Sequence, residues 1–399
     1  MCFAVIRFMA YGWVDTLLVD PAFHFTYLGF DWVRPWPRPL MYAHFVAMAV
    51  AALCMAVGRW PRLASAIFCL LFTYAELIEQ AAYLNHYYLV SLLSALFALF
   101  PARLDRPVPR WVLWLVRAQV GVVYIYAGLA KLGPDWLLQA EPLKTWLQAY
   151  AHLPLVGGFL AADATAWVMS WGGAVFDLGV VFGLLWPPTR RAVYCVALVF
   201  HTTIWLLFPV GMFSWIMLAS ATIFFAPDWP RRFISRWRRP PVGEPIPIGA
   251  PRRVLAMIWL VVQIVVPLRH LAYPGDVNWT EQGFRFAWRV MLIEKTGQVE
   301  YRVCRDGANH CARVYPRSRM TPLQYRMLST QPDMVQAYAH RLALEARAEG
   351  APAVRVHADA FVSLNGRPAA RFVDPAADLA RYPRSWRHQP WILPLPSSP

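Results

Sequence analysis

The sequence predicts a mainly α fold: a polytopic membrane helix bundle of about 8–9 spans, followed by an extracytoplasmic α+β domain. Charged residues make up 15% and hydrophobic residues 58% of the 399 residues, whereas roughly a quarter of a soluble domain is charged. Long apolar stretches recur through the first two thirds of the chain, and arginines gather in the loops between them. We expect the bundle to occupy residues 1–272 and the α+β domain residues 273–399.

The basic residues indicate orientation rather than a nucleic-acid partner, although the net charge is +15. They occupy alternate loops, which is the positive-inside pattern that orients membrane helices during insertion. These loops can all face the cytoplasm, which leaves the intervening loops and everything after about residue 273 outside. The basic loops hold Arg59 and Arg62, Arg103 to Arg110, Arg190 and Arg191, and Arg231 to Arg253.

The spans follow an apolar N-terminal stretch, Met1–Val14, that is too short to cross a bilayer and that we interpret as half of a truncated helix. Residues 15–39 should be irregular, because Pro35, Pro37 and Pro39 stop a helix. The candidate spans then lie at about 40–58, 62–80, 86–101, 111–131, 171–187, 191–208, 210–227 and 254–272, with boundaries uncertain by a few residues.

The C-terminal region reads as short strands and helices. Tyr301–Cys304 and Cys311–Tyr315 are predicted strands around an Asp-Gly turn, and Val354–Leu364 is a predicted strand with alternating polarity. Residues 321–350 are predicted to be helical with a break at Gln331-Pro332, and Asn365-Gly366 is a hairpin signal.

The cysteines indicate a disulfide rather than a metal site. Cys304 and Cys311 flank the predicted turn, so in an oxidising compartment we expect a cross-strand disulfide, with two free thiols as the alternative. No cysteine or histidine spacing matches a zinc or iron–sulfur motif, so no metal is expected.

Ionisable residues inside spans are costly and are candidates for function by default. In the predicted topology they gather towards the outer face, apart from Arg117, which can snorkel at the cytoplasmic side. They are Glu76, Glu79, His86, Lys131, Asp177 and His201, with Arg269 and His270 at the outer end of the last span.

Lys131 ends a predicted span immediately before Gly133-Pro134. It could simply complement the helix dipole and snorkel to the interface. Alternatively, an apolar aromatic site could keep its amine neutral, and a neutral lysine is a competent general base.

The other candidates also allow a structural and a functional interpretation. Asn85 could cap a helix that His86 begins, or His86 could stabilise an anion at that helix N-terminus. His201 and Asp177 could hydrogen-bond neighbouring helices, or Asp177 could pair with a base. Glu76 and Glu79 share a helix face at i, i+3 and could bind a proton or a cation.

The segment from Asn278 to Arg289 is dense in aromatic residues and arginine, and it follows the last predicted span. It could be an interfacial aromatic belt. Its arginines could instead hold a carboxylate through paired hydrogen bonds over the outer mouth of the bundle.

These stretches resemble the vitamin K-dependent gamma-glutamyl carboxylases and their bacterial relatives. The similarity is dispersed in matching order over most of the chain, although the chain is much shorter than the animal enzymes. It runs through Phe23–Phe30, Asn85–Ser94, Val123–Trp136, Phe200-His201, Gly211–Ser220, Trp279–Met291, Val362–Asn365 and Phe372–Pro375.

The resemblance implies an enzyme that oxidises reduced vitamin K with O2 to the epoxide and uses this reaction to carboxylate a glutamate γ-carbon with CO2. It implies that Lys131 deprotonates the quinol and that His86, beside Asn85, stabilises the reacting anion. Tyr124, His201 and Asp177 are then expected at the quinol, with no metal. Trp279, Trp288, Arg289 and Arg326 are expected at a glutamate-containing peptide or protein.

Two alternatives remain open. The chain could epoxidise a quinol without carboxylating anything, since it lacks most of the extra lumenal region of the animal enzymes. It could also be a transporter or lipid-binding protein that uses Glu76, Glu79, Asp177 and His201 as a relay, although no inverted repeat is visible. The resemblance implies contact with membrane lipid and a bacterial inner membrane, or the endoplasmic reticulum lumen side in a eukaryote.

Overall fold

The computed structural model describes residues 1–100, 107–232, 243–245, 247–306 and 310–396. Two regions follow each other along the chain, a helical bundle and a smaller region built on an antiparallel sheet. The bundle helices are α1 (Cys2–Ala10), α2 (Arg38–Val57), α3 (Pro61–Ile78), α4 (Asn85–Leu99), α5 (Arg110–Ala130), α6 (Pro134–Gln139), α7 (Leu143–Gln148), α8 (Gly157–Leu160), α9 (Asp163–Leu185), α10 (Arg190–Leu207), α11 (Phe213–Ala221) and α12 (Ala250–Leu268).

Within the described residues, six helices are long and apolar enough to cross a membrane: α2, α3, α5, α9, α10, and α12 together with the turn that extends it to Ala272. The predicted spans at 86–101 and 210–227 correspond to shorter apolar helices, Asn85–Leu99 and Phe213–Phe224. The structure therefore supports a membrane bundle but does not confirm 8–9 spans. Of the predicted basic loops, residues 101–106 and 233–242 lie outside the described residues.

Helix ends follow local sequence signals. Proline occupies the first turn of α2, α3 and α12, where its missing N–H costs nothing. Gly58 ends α2 in the left-handed conformation with φ 71°. The N–H groups of Gly58 and Arg59 close the last turn by donating to the carbonyls of Met55 and Cys54. Of the predicted irregular stretch 15–39, residues 20–37 are irregular. Asp15–Val19 is instead a π-helical turn, and Pro39 lies in the first turn of α2 rather than stopping a helix, because its fixed φ suits that position.

Two helices that carry candidate residues pack unusually closely. A Cβ at Gly128 of α5 would lie 2.7 Å from Cγ of Leu178 on α9. The absence of a side chain at Gly128 therefore lets these two helices approach each other near Lys131, which follows the last residue of α5, and near Asp177, which lies within α9.

The C-terminal region contains α13 (Val277–Thr280), β1 (Lys295–Arg305), β2 (Ala312–Val314), α14 (Pro322–Leu328), α15 (Pro332–Ala348), β3 (Val354–Leu364) and β4 (Ala370–Arg371). The sheet order is β2-β1-β3-β4, with every pair antiparallel. Alternate residues of β3 are buried, and the buried face packs against α15. This confirms the predicted strands and the break between α14 and α15.

The two turn predictions in this region have different outcomes. Asn365 and Gly366, with φ 50° and 75°, form the predicted turn after β3. Cys304 and Cys311 form the predicted disulfide between β1 and the start of β2. Gly307 of the predicted Asp-Gly turn lies outside the described residues.

The C-terminal region contacts one end of the bundle through polar groups. Gln80 donates to Asp333 at 2.8 Å, and Asp333 also pairs with Arg285. In a second contact, Asp135 of α6 accepts hydrogen bonds from Asn365 and Arg367, at 2.5–2.8 Å. These contacts place the loop between β3 and β4 directly over the segment that follows Lys131.

Candidate functional site

Lys131 lies at the end of α5 and forms an ion pair inside the bundle. Its Nζ lies 2.7 Å from Oδ2 of Asp177 on α9, and the two side chains are 6% and 8% exposed. Helix α5 ends at Ala130, and Gly133 and Pro134 begin α6 three residues later, so the chain turns immediately beyond Lys131. Lys131 therefore does not extend to the surface of the bundle, and the Asp177 carboxylate is close enough to exchange a proton with it.

Next to this ion pair, Tyr124 and His201 form a second polar pair. The Tyr124 hydroxyl lies 2.9 Å from Nε2 of His201. Nδ1 of His201 is buried and has no hydrogen-bond partner in the described part of the chain. Phe176 and Phe200 pack around the imidazole.

These four residues line one small cavity, which we call the Lys131 chamber. Its volume is about 50 Å³, and most of its wall is apolar. The chamber brings together the predicted base and all three residues predicted at the quinol. They come from α5, α9 and α10, so the arrangement depends on packing between helices.

A second, larger cavity has a volume of about 530 Å³, and we call it the arginine cavity. Asn85, His86, Arg289 and Arg326 line it. Nε2 of His86 is buried without a hydrogen-bond partner among the described residues. Asn85 is fixed in place, because it donates to the backbone carbonyl of Arg289 at 3.1 Å and accepts from the Tyr83 hydroxyl at 3.0 Å.

The charges on the wall of the arginine cavity are mainly positive. Arg289 hydrogen-bonds to the Asn278 side chain at 3.0 and 3.3 Å, and burial lowers its pKa to about 10, so it remains charged at neutral pH. Arg326 forms no ion pair or side-chain hydrogen bond within the described part of the chain. Arg7 also lines the cavity. Among the described lining residues, Glu76 is the one acidic side chain. The cavity can therefore accept an anionic group.

Trp279 and Trp288, two of the residues predicted at the substrate, do not line the arginine cavity. Trp279 is 1% exposed and donates from Nε1 to the carbonyl of Leu393, inside the core of the C-terminal region. Trp288 is fully buried and stacks on Tyr88, with ring centroids 5.0 Å apart. Neither lines the arginine cavity, because large aromatic side chains near an interface between two regions gain most by burial. They support the segment that presents Arg289.

Glu76 and Glu79 do not share a helix face, contrary to the prediction. Helix α3 ends at Ile78, and Glu79 has the extended φ of −133°. Its carboxylate accepts hydrogen bonds from the Ala81 N–H and from Gln324, and burial raises its pKa to about 7. Glu76 lines the arginine cavity, whereas Asp177 and His201 line the Lys131 chamber. The four residues of the proposed relay are thus divided between three sites.

Sequence reasoning missed a buried ion pair that holds the Trp279–Met291 segment. Lys295 on β1 contacts Glu281 at 2.8 Å and also donates to the carbonyl of Trp279. Both charged side chains are at most 6% exposed, and burial lowers the pKa of Lys295. No local sequence signal indicates this pair, because an isolated lysine at the start of a strand is usually exposed to solvent.

Sequence reasoning also missed the contact of Asp135 with Arg367 and Asn365, because nothing local pairs residues more than 200 positions apart. The Asp135 carboxylate receives two bonds from Arg367, which is the strong planar geometry for this pair. Among the described residues, no group of three or more His, Cys, Asp or Glu side chains could hold a metal ion.

Comparison with known protein families gives two matches. Residues 1–229 match the model of the HTTM domain. Residues 250–398 match the model described as the vitamin K-dependent gamma-carboxylase, lumenal domain. The second match includes α12 together with the C-terminal region. No solved structure matches the chain.

Proposed function

Since the chain belongs to the vitamin K-dependent gamma-carboxylase family, we propose that it couples the oxidation of reduced vitamin K by O2 to the carboxylation of a glutamate side chain with CO2. The supporting observation is the juxtaposition of two cavities. One contains a buried lysine paired with a carboxylate, and the other contains arginines able to bind an anion. The alternative within the same family is quinol epoxidation without carboxylation.

We propose Lys131 as the group that takes a proton from the quinol hydroxyl. A quinol hydroxyl is acidic enough for an amine to deprotonate, whereas the glutamate γ-carbon is not. Oxidation of the quinol supplies the much stronger base that the γ-carbon requires. Lys131 must first lose its own proton, and Asp177 at 2.7 Å is positioned to take or share it. Tyr124 and His201 complete the polar part of the chamber.

His86 and Asn85 are proposed to stabilise a reacting anion. They are the first residues of α4, where unpaired backbone N–H groups and the helix dipole favour negative charge. The free Nε2 of His86 is a buried nitrogen available to a ligand in the arginine cavity. A buried polar atom without a partner is costly unless a ligand satisfies it.

Arg289 and Arg326 are proposed to hold the substrate carboxylate. An arginine–carboxylate contact is directional and can be bidentate, which would fix the γ-carbon relative to the base. Without substrate, Arg326 has no ion pair among the described residues, so the substrate does not have to displace an internal carboxylate. The cavity volume of about 530 Å³ is within the usual range for ligand sites, roughly 300–1,000 Å³.

The assignment of Lys131 can be tested with purified protein in detergent. Reduced vitamin K, O2, labelled bicarbonate and a short glutamate peptide are supplied, and epoxide and incorporated label are measured separately. Lys131→Ala should abolish epoxide formation. Lys144→Ala is the matched control, because Lys144 forms a more exposed ion pair with Asp163 at 3.2 Å.

The products distinguish the proposals. Formation of both epoxide and labelled peptide supports the coupled reaction. Formation of epoxide without incorporated label supports an epoxidase that does not carboxylate. The absence of both products from the wild type would overturn the enzyme proposal and favour a transporter or lipid-binding protein. Full turnover by Lys131→Ala would refute the role of Lys131.

We further propose that the division between bundle and C-terminal domain falls near residue 272 and that residues 273–399 are extracytoplasmic, in a bacterial inner membrane. The six apolar helices fit a membrane protein, and the family that matches the C-terminal region is described as lumenal. The Cys304–Cys311 disulfide is consistent with an oxidising compartment.

A further inference from the structure

The Lys131 chamber and the arginine cavity share one wall. Phe213, Val290 and Met291 line both of them. The Phe213 ring centroid lies 5.9 Å from that of His86 and 5.8 Å from that of His201. One aromatic ring is therefore close to both imidazoles, and each imidazole has a buried nitrogen with no hydrogen-bond partner among the described residues.

The wall is built from two distant parts of the chain. Phe213 is the first residue of α11 and follows Gly211, which has φ 59°. Val290 and Met291 end the segment that enters the C-terminal region. In that segment Phe286, Trp288 and Met291 have φ of 61°, 56° and 56°. Non-glycine residues adopt this conformation at a cost of about 1–3 kcal/mol each, and such strain concentrates at ligand sites and switches.

The small volume of the Lys131 chamber means that the shared wall controls access to Lys131. The Lys131 chamber, at about 50 Å³, has room for only a few water molecules, since one water needs roughly 10–15 Å³ of such space. A ligand pocket usually requires several hundred Å³. A ring compound that enters the arginine cavity cannot reach Nζ of Lys131 while Phe213 and Met291 occupy these positions.

We propose that Phe213, together with Met291, is a partition that seals Lys131 from the arginine cavity and moves to admit the quinol ring. The proposal rests on the proposed function for the identity of the admitted molecule. Phe213 is a positioning residue, because it acts by controlling access to Lys131. With the partition closed, the amine is shielded from the polar groups and the solvent of the larger cavity.

The access of small molecules to Lys131 can be measured without any activity. The chain contains three lysines, Lys131, Lys144 and Lys295. Reductive methylation of the full-length protein with formaldehyde and dimethylamine-borane, followed by mass spectrometry, reports each of them separately. Lys144 is 27% exposed and serves as the accessible reference. Lys295 is 3% exposed in the C-terminal region and reports any general loosening of the structure.

Phe213→Ala should raise the ratio of Lys131 to Lys144 methylation roughly tenfold, because reagent access no longer requires local opening of the wall. The matched control is Phe200→Ala, which removes the same ring from the Lys131 chamber but from a wall that the arginine cavity does not share. This control should leave the ratio near the wild-type value. Lys295 should remain unmodified in every variant.

Increased methylation of Lys295 would show that Phe213→Ala does not fold. In that case Met291→Ala provides the same test and removes a smaller side chain. The proposal is overturned if wild-type Lys131 reacts as fast as Lys144. It is also overturned if the folded partition variants leave the ratio unchanged, or if Phe200→Ala raises it equally.

A second measurement separates this proposal from the proposed function. In the assay for epoxide and carboxylated product, a breached partition should increase the epoxide formed per carboxylated glutamate, because the reactive base is less shielded from water. A wild type without activity but with the expected methylation pattern would overturn the function and leave the partition standing. Activity with an unchanged methylation ratio would overturn the partition alone.

Discussion

The buried ion pair between Lys131 and Asp177 is the residue-scale feature with the clearest energetic consequence. Each charge is almost completely removed from solvent, and each is neutralised by the other at 2.7 Å. Removing one member of such a pair leaves an uncompensated buried charge, which costs more than replacing both with apolar residues. The pair thus makes stability and chemistry interdependent at this position.

Asp177→Asn should therefore lower the unfolding temperature in detergent markedly, as expected for a loss of about 3–5 kcal/mol. The double variant Lys131→Met with Asp177→Leu should unfold at a higher temperature than Asp177→Asn, because no charge remains unpaired. Asp163→Asn, which breaks the exposed pair with Lys144, should have little effect. Equal destabilisation by the single and double variants would contradict the buried-charge explanation.

Arg326 is expected to contribute to substrate binding but little to the stability of the fold. It has no ion pair within the described part of the chain and lines the arginine cavity. Arg326→Gln should leave the unfolding temperature nearly unchanged but raise KM for a glutamate peptide about tenfold or more, since a charge-assisted hydrogen bond contributes about 1.5–3 kcal/mol. Exposed Arg317→Gln is the control. An unchanged peptide KM would remove Arg326 from the site.

At the scale of elements, the connection between α3 and α4 is held by the C-terminal region. Glu79 accepts a hydrogen bond from Gln324 of α14 at 2.7 Å, and the neighbouring Gln80 donates to Asp333 of α15. This connection leads directly into Asn85 and His86. Its position therefore determines where α4 presents these residues to the arginine cavity.

The raised pKa of Glu79 makes this connection sensitive to pH. Burial raises that pKa from 4.5 to about 7, so the folded protein holds a proton that the unfolded chain releases between these values. The contribution of the protonated Glu79 carboxyl to the free energy of unfolding is fully present below pH 4.5. It is lost as pH rises through 7, and the total loss is about 3 kcal/mol.

Glu79→Gln cannot ionise, so its unfolding temperature should rise relative to wild type between pH 5 and pH 8. The comparison with wild type at each pH cancels the titration of other groups. Exposed Glu349→Gln should show no such change. The same offset from wild type at both pH values would show that Glu79 keeps an ordinary pKa.

Another element, the Trp279–Met291 segment, is positioned from within the C-terminal region. The Lys295–Glu281 pair fixes its start, and Trp288 buries its middle against Tyr88. Its end then supplies Arg289 to one cavity and Met291 to both. The aromatic residues of this segment thus act through packing, and its arginine acts through charge.

At the scale of the whole molecule, the C-terminal region covers the end of the bundle where both cavities lie. The contact of Asp135 with Arg367 connects the segment after Lys131 to the loop between β3 and β4. The contact of Asp333 with Gln80 connects α15 to the segment between α3 and α4. Two separate polar contacts fix the orientation of one region relative to the other better than a single contact could.

The proposed orientation in the membrane predicts the outcome of reporter fusions. Alkaline phosphatase, which is active only outside the cytoplasm, should be active when fused after Ala272 and inactive when fused after Arg191. Both positions follow from the alternation of basic loops. A reporter that is active only in the cytoplasm is fused at the same two positions as a control and should give the opposite result. Alkaline phosphatase activity after Arg191 but not after Ala272 would show that the topology is inverted.

The sequence alone determined the features that depend on local chemistry. Apolar stretches predicted the long helices, prolines and glycines predicted their ends, and alternation predicted β3, because these signals act over a few residues. It also predicted the Cys304–Cys311 disulfide, which the structure contains. Lys131 and His86 are candidates from the same sequence and stay predictions. The structure does not confirm α4 and α11 as full spans, since both are shorter apolar helices; composition alone does not reveal where a helix ends against its neighbours.

Only the tertiary structure decided which side chains share a cavity. Asp177 meets Lys131 across two helices that Gly128 lets approach, and Arg289 and Arg326 converge from separate elements of the C-terminal region. Packing also placed Trp279 in a core and Phe213 between the two cavities. The physical reason is that burial and pairing depend on neighbours tens or hundreds of positions away, which no local pattern encodes.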